Sequence, residues 1–329
     1  MKLATVANGY KDGTLVVVSR NLKRARRVPW LAATLQTALD RWKELEAGLR
    51  QASRELDADL SMPDAFDFHF EQALAPLPRA YAWLDGSAYL SHLERFRKVA
   101  GRTVPAEYYA TPLMYQGGSD TMLSCRAELA CDPEWGADCE AEVAVVIDKV
   151  PARPTRQQAL DAICLVTIVN DVSLRQLQSR ERETGFGWLH CKPPTAFAPV
   201  MATPDELGDA WRDGKVHLPL QVWINDWLLG RPDTGVGMQF DFARLIQHAA
   251  ETRSLTAGTI IGSGTVSNPD ADKVGVACIA ERRFLEQLKH GEPVTPYLQE
   301  GDRVRVEMVD AGGASMFGDI VQVAKQIIR

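Results

Sequence analysis

Two stretches, CEAEVAVVID (139–148) and CLVTIVND (164–171), decide how this chain reads. Both are short apolar runs rich in β-branched residues and bounded by polar ones, the pattern of strands. Side chains of a strand alternate between faces. Ala141, Val143, Val145 and Ile147 therefore share one face, apolar enough to be core, while Glu140 and Glu142 point together. Two glutamates at i and i+2 on one face repel each other unless solvent or a cation lies between them. Asp171 closes the second run, at a sheet margin. Oxygen-only ligands select hard cations such as Mg²⁺, Mn²⁺ or Ca²⁺. Spacing alone favours an ordinary solvated edge strand with surface acids, because E-x-E is a common pattern.

Directly after Asp171 comes VSLRQLQSRE (172–181). Ser173 and Gln176 fit a capping box that opens a helix. Arg175 and Gln178, three residues apart, then share one face of it, where a guanidinium and an amide can hold a carboxylate or a developing enolate. A plain surface helix start fits these residues too. Further on, LPLQVWIN (218–225) and DWLLGR (226–231) read as paired strands turning at Asn225-Asp226, and DFARLIQHAAET (241–252) reads as a helix. GTIIGSGTV (258–266) and DRVRVEMVD (302–310) read as strands, the latter pairing with SMFGDIVQVA (315–324) across an Ala-Gly-Gly turn. Strands outnumber helices and do not alternate with them, so the fold class is α+β, β-dominated, not a βαβ series.

Upstream, MKLATVA (1–7) and TLVVVSR (14–20) flank the turn GYKDG (9–13), a hairpin signal. Leu31, Leu35, Leu39, Trp42, Leu45, Leu49 and Leu56 recur at mostly three- and four-residue steps, predicting one long amphipathic helix. Pro63 ends it, and LAPLPRAYAW (74–83) reads as a linker. The expected division is a small N-terminal α+β domain over 1–75 and a catalytic domain over 76–329.

A chain of 329 residues, 46% hydrophobic and 24% charged, has ample apolar material for a core. The formal charge of −6 argues against a nucleic-acid partner, which requires a basic face. Six scattered cysteines with no C-x-x-C pair, and no secretory signal, predict reduced buried thiols and a cytoplasmic protein. No apolar run approaches the ~20 residues of a membrane span. The GSGT run lacks the spacing of either phosphate-binding loop, so nucleotide binding is not expected.

Taken in order, these segments resemble the fumarylacetoacetate hydrolase family. Glu140 and Glu142 followed by NDVSLRQLQ (170–178) resemble its E-x-E and N-D-x-S-x-R-x-x-Q segments. HCKPPT (190–195) and GSGTVS (262–267) resemble its lysine-bearing element and its G-T-[IV]-S loop. LDGSAYLSH (84–92) and LMYQGG (113–118) resemble its upstream Asp–His element and a Tyr-containing, Gly-rich segment. The likeness runs over roughly residues 80–329. It implies a rolled mixed β-sheet catalytic domain, usually in a homodimer. It implies Asp85, Glu140, Glu142 and Asp171 as ligands of a divalent metal, Mg²⁺ or Ca²⁺ with Mn²⁺ as an alternative. His92 is implied as general base. Arg175, Gln178 and Lys192 are implied as stabilisers of negative charge, and Tyr115, Thr265 and Tyr89 as substrate contacts.

One departure stands out. Short family members carry H-x-x-E, but here His92 is followed three residues later by Arg95. Longer members take the acid that orients the histidine from a strand near the C-terminus, for which Glu281 in VACIAERR (276–283) is the candidate. The implied reaction is hydrolysis of a carbon–carbon bond in a small β-diketo acid, fumarylacetoacetate in tyrosine or homogentisate catabolism above all. Within the fold the alternatives are an acylpyruvate hydrolase, an oxaloacetate decarboxylase or a hydroxy-dienedioate isomerase. A non-catalytic binding or assembly protein on the same scaffold is the alternative of another class.

Overall fold

A computed structural model of the protein describes residues 1–327. Strand Ala141–Ile147 is buried along its whole length. It pairs antiparallel with Ile163–Asn170 on one side and with Thr259–Gly262 on the other, so it is a central strand and not an edge. From there the sheet extends through Trp83–Gly86, parallel to Thr259–Gly262, to Met114–Gly117. In the other direction it runs through Met201–Ala202 to the N-terminal strands Lys2–Val6, Thr14–Val18, Arg24–Arg27 and Ala65–Asp67. The expected N-terminal hairpin is therefore present, and it continues the central sheet: Lys2 pairs with Ala202 and Leu3 with Met201.

The central strand is apolar on both faces because both are covered. Val143, Val145 and Ile147 pack into a core shared with Leu220, Val222, Val304 and Val306 of a second sheet. That sheet runs Trp227–Gly230, Leu220–Ile224, Arg303–Met308, Ile320–Gln326 and Leu129–Cys131, and contains both predicted hairpins. Ala144 and Val146 face a second core with Leu35, Leu39, Leu45, Leu49 and Leu56 from the N-terminal helices. The result is a mixed, β-dominated α+β fold.

Three local expectations change. The single long helix is two, Leu35–Asp40 and Trp42–Ala58, with Leu31 outside both. Thr34 caps the first, and Arg41, at φ −124° and ψ 31°, leaves the helical basin between them. The Ser173/Gln176 capping box does not form. Ser173 and Leu174 pair as a short strand with Ala137–Asp138, and helix Arg175–Thr184 starts with no side-chain cap. Glu281 lies in helix Ile279–His290 and not in a strand. The run IAERRFLEQLKH has helical periodicity, with Glu281 in the first turn, where an acid meets unpaired amides.

Candidate active site

The N-terminal end of strand Ala141–Ile147, the C-terminal ends of Ile163–Asn170 and Trp83–Gly86, and the GSGT loop meet at one side of the central sheet. This brings Asp85, Glu142 and Asp171 together: one carboxylate oxygen from each lies within 4.8 Å of the others. All three are buried. Asp85 Oδ1 accepts the Gly264 N–H at 3.0 Å. That approach requires glycine, since Gly264 has φ +75° and a Cβ there would stand 2.3 Å from the Gly86 carbonyl. Asp171 Oδ1 accepts from Thr195 Oγ1 at 2.5 Å, and its Oδ2 accepts from Tyr115 Oη at 2.5 Å.

Glu142 is different. It is fully buried, and neither of its oxygens has a hydrogen-bond partner among the described residues. A buried carboxylate without a partner is costly. Burial, then the charges of Asp85 and Asp171, push the Glu142 carboxyl well above its usual range. Burial, then Asp171, push Asp85 up to about 7. Three close carboxylates with two unpaired oxygens fit a hard divalent cation, which would neutralise them and complete the bonding of Glu142.

Glu140 behaves otherwise. The expected fourth ligand lies outside the close group of three, and both of its oxygens are occupied. Oε1 accepts from Arg175 at 2.6 Å and Thr265 Oγ1 at 2.9 Å; Oε2 accepts from Lys192 Nζ at 2.6 Å and Ser173 Oγ at 2.9 Å. Burial opposes its ionisation, but Arg175 and then Lys192 hold its carboxyl well below the usual range. Lys192 also donates to Asp171 Oδ2 at 2.5 Å, so it is the cation that now bridges the acids. Burial lowers the Lys192 ammonium, and the charges of Asp171 and Glu140 more than reverse this, raising it. The HCKPPT lysine is therefore no plain loop residue.

His92, in helix Leu90–Val99, bonds through Nδ1 to Glu281 Oε2 at 3.0 Å. A carboxylate acceptor leaves the proton on Nδ1 and Nε2 as the free nitrogen. Glu281 is fully buried and is itself held: Ser267 Oγ donates to Oε1 at 2.7 Å, and Arg95 pairs with the same oxygen. Burial opposes ionisation of Glu281, but the His92 hydrogen bond and charge, then Arg95, depress it. The Arg95 position that departs from H-x-x-E thus contacts the acid that replaces the missing glutamate.

A cavity of about 700 Å³ joins these parts, lined by Asp85, His92, Tyr115, Glu140, Glu142, Arg175, Gln178, Lys192 and Thr265. Gln178 Oε1 accepts from Arg175 at 3.3 Å, so the pair shares a helix face as its spacing predicts. Tyr89, expected at the substrate, is not there. It is 1% exposed in the core and donates to the Thr234 carbonyl at 2.6 Å. Ser87 lines the cavity, whereas Ala88 and Tyr89 both pack into the core.

Sequence reasoning missed four contributors. Asp138 is fully buried, accepts from Arg175 at 2.9 and 2.7 Å, and accepts the Ile279 and Ala280 amides at the start of helix Ile279–His290. Its signal was present: in DCEAE (138–142) the period-two acids extend back one more step. Thr195, Ser267 and Arg95 are the others, and their roles come from tertiary contacts that no local pattern shows.

A family model described as "Fumarylacetoacetate (FAA) hydrolase C-terminal" matches residues 82–326, and "Fumarylacetoacetase N-terminal domain 2" matches residues 1–79. Among curated relatives, an oxaloacetate tautomerase of Bacillus subtilis is 30% identical over 130 residues, 40% of this chain and 41% of that one. The chain spans less than two thirds of the length of several such relatives, 55% of another. A putative HpcE protein of Mycobacterium smegmatis has a similar structure, with TM-score 0.70, 18% identity and full coverage of both chains. So does a maleylpyruvate hydrolase of Sphingobium sp. SYK-6 in complex with manganese(II) and pyruvate, at TM-score 0.59, 19% identity and 99% coverage of both. At these identities the structural likenesses speak to the fold.

Proposed function

The chain belongs to the fumarylacetoacetate hydrolase family, and from that premise we propose that it hydrolyses a carbon–carbon bond in a small β-diketo acid, fumarylacetoacetate first among candidates. The observation that carries this reading is the meeting of three buried carboxylates, Glu142 with both oxygens unpaired, and a His92–Glu281 pair next to one cavity. Asp85, Glu142 and Asp171 would hold the divalent ion, Mg²⁺, Ca²⁺ or the Mn²⁺ seen in the maleylpyruvate hydrolase. Such an ion supplies Lewis-acid polarisation of the substrate's oxo groups.

The chain's own groups do the rest. His92 takes a proton from water through Nε2, and Glu281 fixes the tautomer and stabilises the imidazolium. Hydroxide adds to one carbonyl, the carbon–carbon bond breaks toward the other, and the leaving enolate takes back a proton. Lys192 Nζ, which bridges Asp171 and Glu140, would together with Arg175 and Gln178 face the developing negative charge. Glu140 would keep Arg175 aligned. Thr265 and Tyr115 flank the same space.

A homodimer, a cytoplasmic setting and a place in tyrosine or homogentisate breakdown belong to the same reading. Among the described residues no helix is long and apolar enough to cross a membrane. The same histidine–acid pair could instead shuttle a proton in an isomerase, a tautomerase or a decarboxylase. Side-by-side absorbance assays on fumarylacetoacetate, acetylpyruvate and oxaloacetate with Mn²⁺ separate these, and a β-diketo acid should be turned over fastest. His92→Ala should keep Mn²⁺ binding and lose hydrolysis about 10²–10⁴-fold; near-normal turnover by that variant excludes the assigned role.

A further inference from the structure

A second group of ligand atoms borders the same cavity and differs in kind from the three carboxylates. One donor atom each from His92, Cys278 and Glu281 lies within 4.8 Å of the other two. The sequence itself joins two of them. Cys278 caps helix Ile279–His290 and Glu281 follows three residues later in its first turn, so both stand on one face. Helix Leu90–Val99 supplies His92. His92 lines the cavity, as do Ala280 and Phe284 of the other helix, whereas Cys278 and Glu281 are fully buried.

Hydrolysis as proposed above uses only the imidazole and the carboxylate; Cys278 takes no part in it. Its sulfur accepts the Glu281 amide at 3.4 Å and donates to none of the described residues. A thiolate, an imidazole and a carboxylate are the donor set of zinc, whereas the oxygen-only acids suit hard cations. The charge fits as well, since a thiolate and a carboxylate together neutralise a divalent ion. His92 Nδ1 and Glu281 Oε2 stand 3.0 Å apart, near the edge of about 3.3 Å that zinc bonds of ~2.0–2.1 Å give in a tetrahedron. Arg95 and Ser267 hold the other carboxylate oxygen, Oε1, which leaves Oε2 as the ligand. Three protein ligands leave a fourth position open, as in exchangeable zinc sites.

We propose that His92, Cys278 and Glu281 form a second metal site, for Zn²⁺, whose occupancy switches off the base. The ion would take the place of the hydrogen between Nδ1 and Oε2. One proton leaves, from Cys278, and the imidazole proton moves from Nδ1 to Nε2. The nitrogen that takes a proton from water in the zinc-free enzyme is then itself protonated. Inhibition rests on His92 being the base, as proposed above; the site does not, and two measurements separate them. Co²⁺ titrated into the Mn²⁺-loaded protein should give thiolate-to-cobalt charge-transfer absorption in the near ultraviolet, which carboxylate-bound Co²⁺ lacks. Cys278→Ser keeps a capping oxygen on the helix and should lose that band. In excess Mn²⁺, Zn²⁺ should inhibit turnover of whichever acid is the best substrate. Cys278→Ser, with zinc-free turnover within about twofold of wild type, should need at least about tenfold more Zn²⁺ for the same inhibition. No band in the wild-type protein, or a band that survives in Cys278→Ser, overturns the site. Equal Zn²⁺ sensitivity of the two proteins also overturns it, because the ion then acts at the acids. A Cys278-dependent band with undiminished turnover keeps the site and overturns His92 as the base.

Discussion

At the scale of single residues, Glu142 concentrates the physics of the site. Two buried, unpaired carboxylate oxygens beside Asp85 and Asp171 burden the metal-free protein. Glu142→Gln removes one of the repelling charges, so the metal-free variant should be more stable than wild type by about 1–3 kcal/mol, or a few degrees in Tm. The rise in Tm that Mn²⁺ gives the wild-type protein should vanish in it. Scanning calorimetry with and without Mn²⁺ reads both effects; a destabilised variant that still responds to Mn²⁺ removes Glu142 from the ion's shell. Much of this residue-level picture was legible beforehand. Asp85, Glu142 and Asp171 converge from three separate segments as their motifs implied, and Glu281 meets His92 although it sits on a helix. Tyr89 was misplaced because a motif position does not say which way a loop residue turns. Arg95 read only as a departure, and its meaning lies in contact with Glu281, 186 residues away in sequence.

At the scale of elements, helix Arg175–Thr184 organises one wall of the site from both ends. Its start carries Arg175 to Asp138 and Glu140. Near its end, Glu181 accepts the amides of Leu189, His190 and Cys191 at 3.0, 2.7 and 3.2 Å, fixing the segment that delivers Lys192. Burial opposes ionisation of Glu181, but hydrogen bonds from Cys191, His190 and Leu189 hold its carboxyl at about 2, against an ordinary 4.5. A depressed carboxyl contributes stability that is complete above its unfolded value and fades as pH falls toward its folded one. Glu181→Gln should therefore destabilise the protein by about 1–3 kcal/mol at neutral pH. The gap from wild type should close between about pH 4.5 and pH 2. Thermal melts across that range check it, and a gap independent of pH refutes the charge-based anchor. The strands were easier to read than this helix, because their β-branched runs are long and uninterrupted. The expected capping box failed because Ser173 was drawn to Glu140, a tertiary partner that outcompeted the local one.

At the scale of the whole molecule, the N-terminal segment is a structural layer of the catalytic sheet. Leu3, Leu15, Val17 and the helix residues Leu35, Leu39, Leu49 and Leu56 share one core with Ala144, Val146, Leu165, Val169, Phe197, Met201 and Ile260. Of those last seven, Ala144, Val146, Leu165, Val169 and Ile260 lie on the central strands, and Ala144 and Val146 share a face with Glu142. The composition near residue 75 could not show that strand Lys2–Val6 hydrogen-bonds to Met201–Ala202. Two units sharing a continuous sheet and one core should open together. Native-state hydrogen exchange followed by mass spectrometry should accordingly give amides of Lys2–Val6 the same opening free energy as those of Ile163–Asn170. A chain beginning at residue 80 would bare this apolar face and should aggregate or fail to bind Mn²⁺. The coupling would be disproved by a soluble, Mn²⁺-binding fragment, or by N-terminal strands that open several kcal/mol more easily than the central ones.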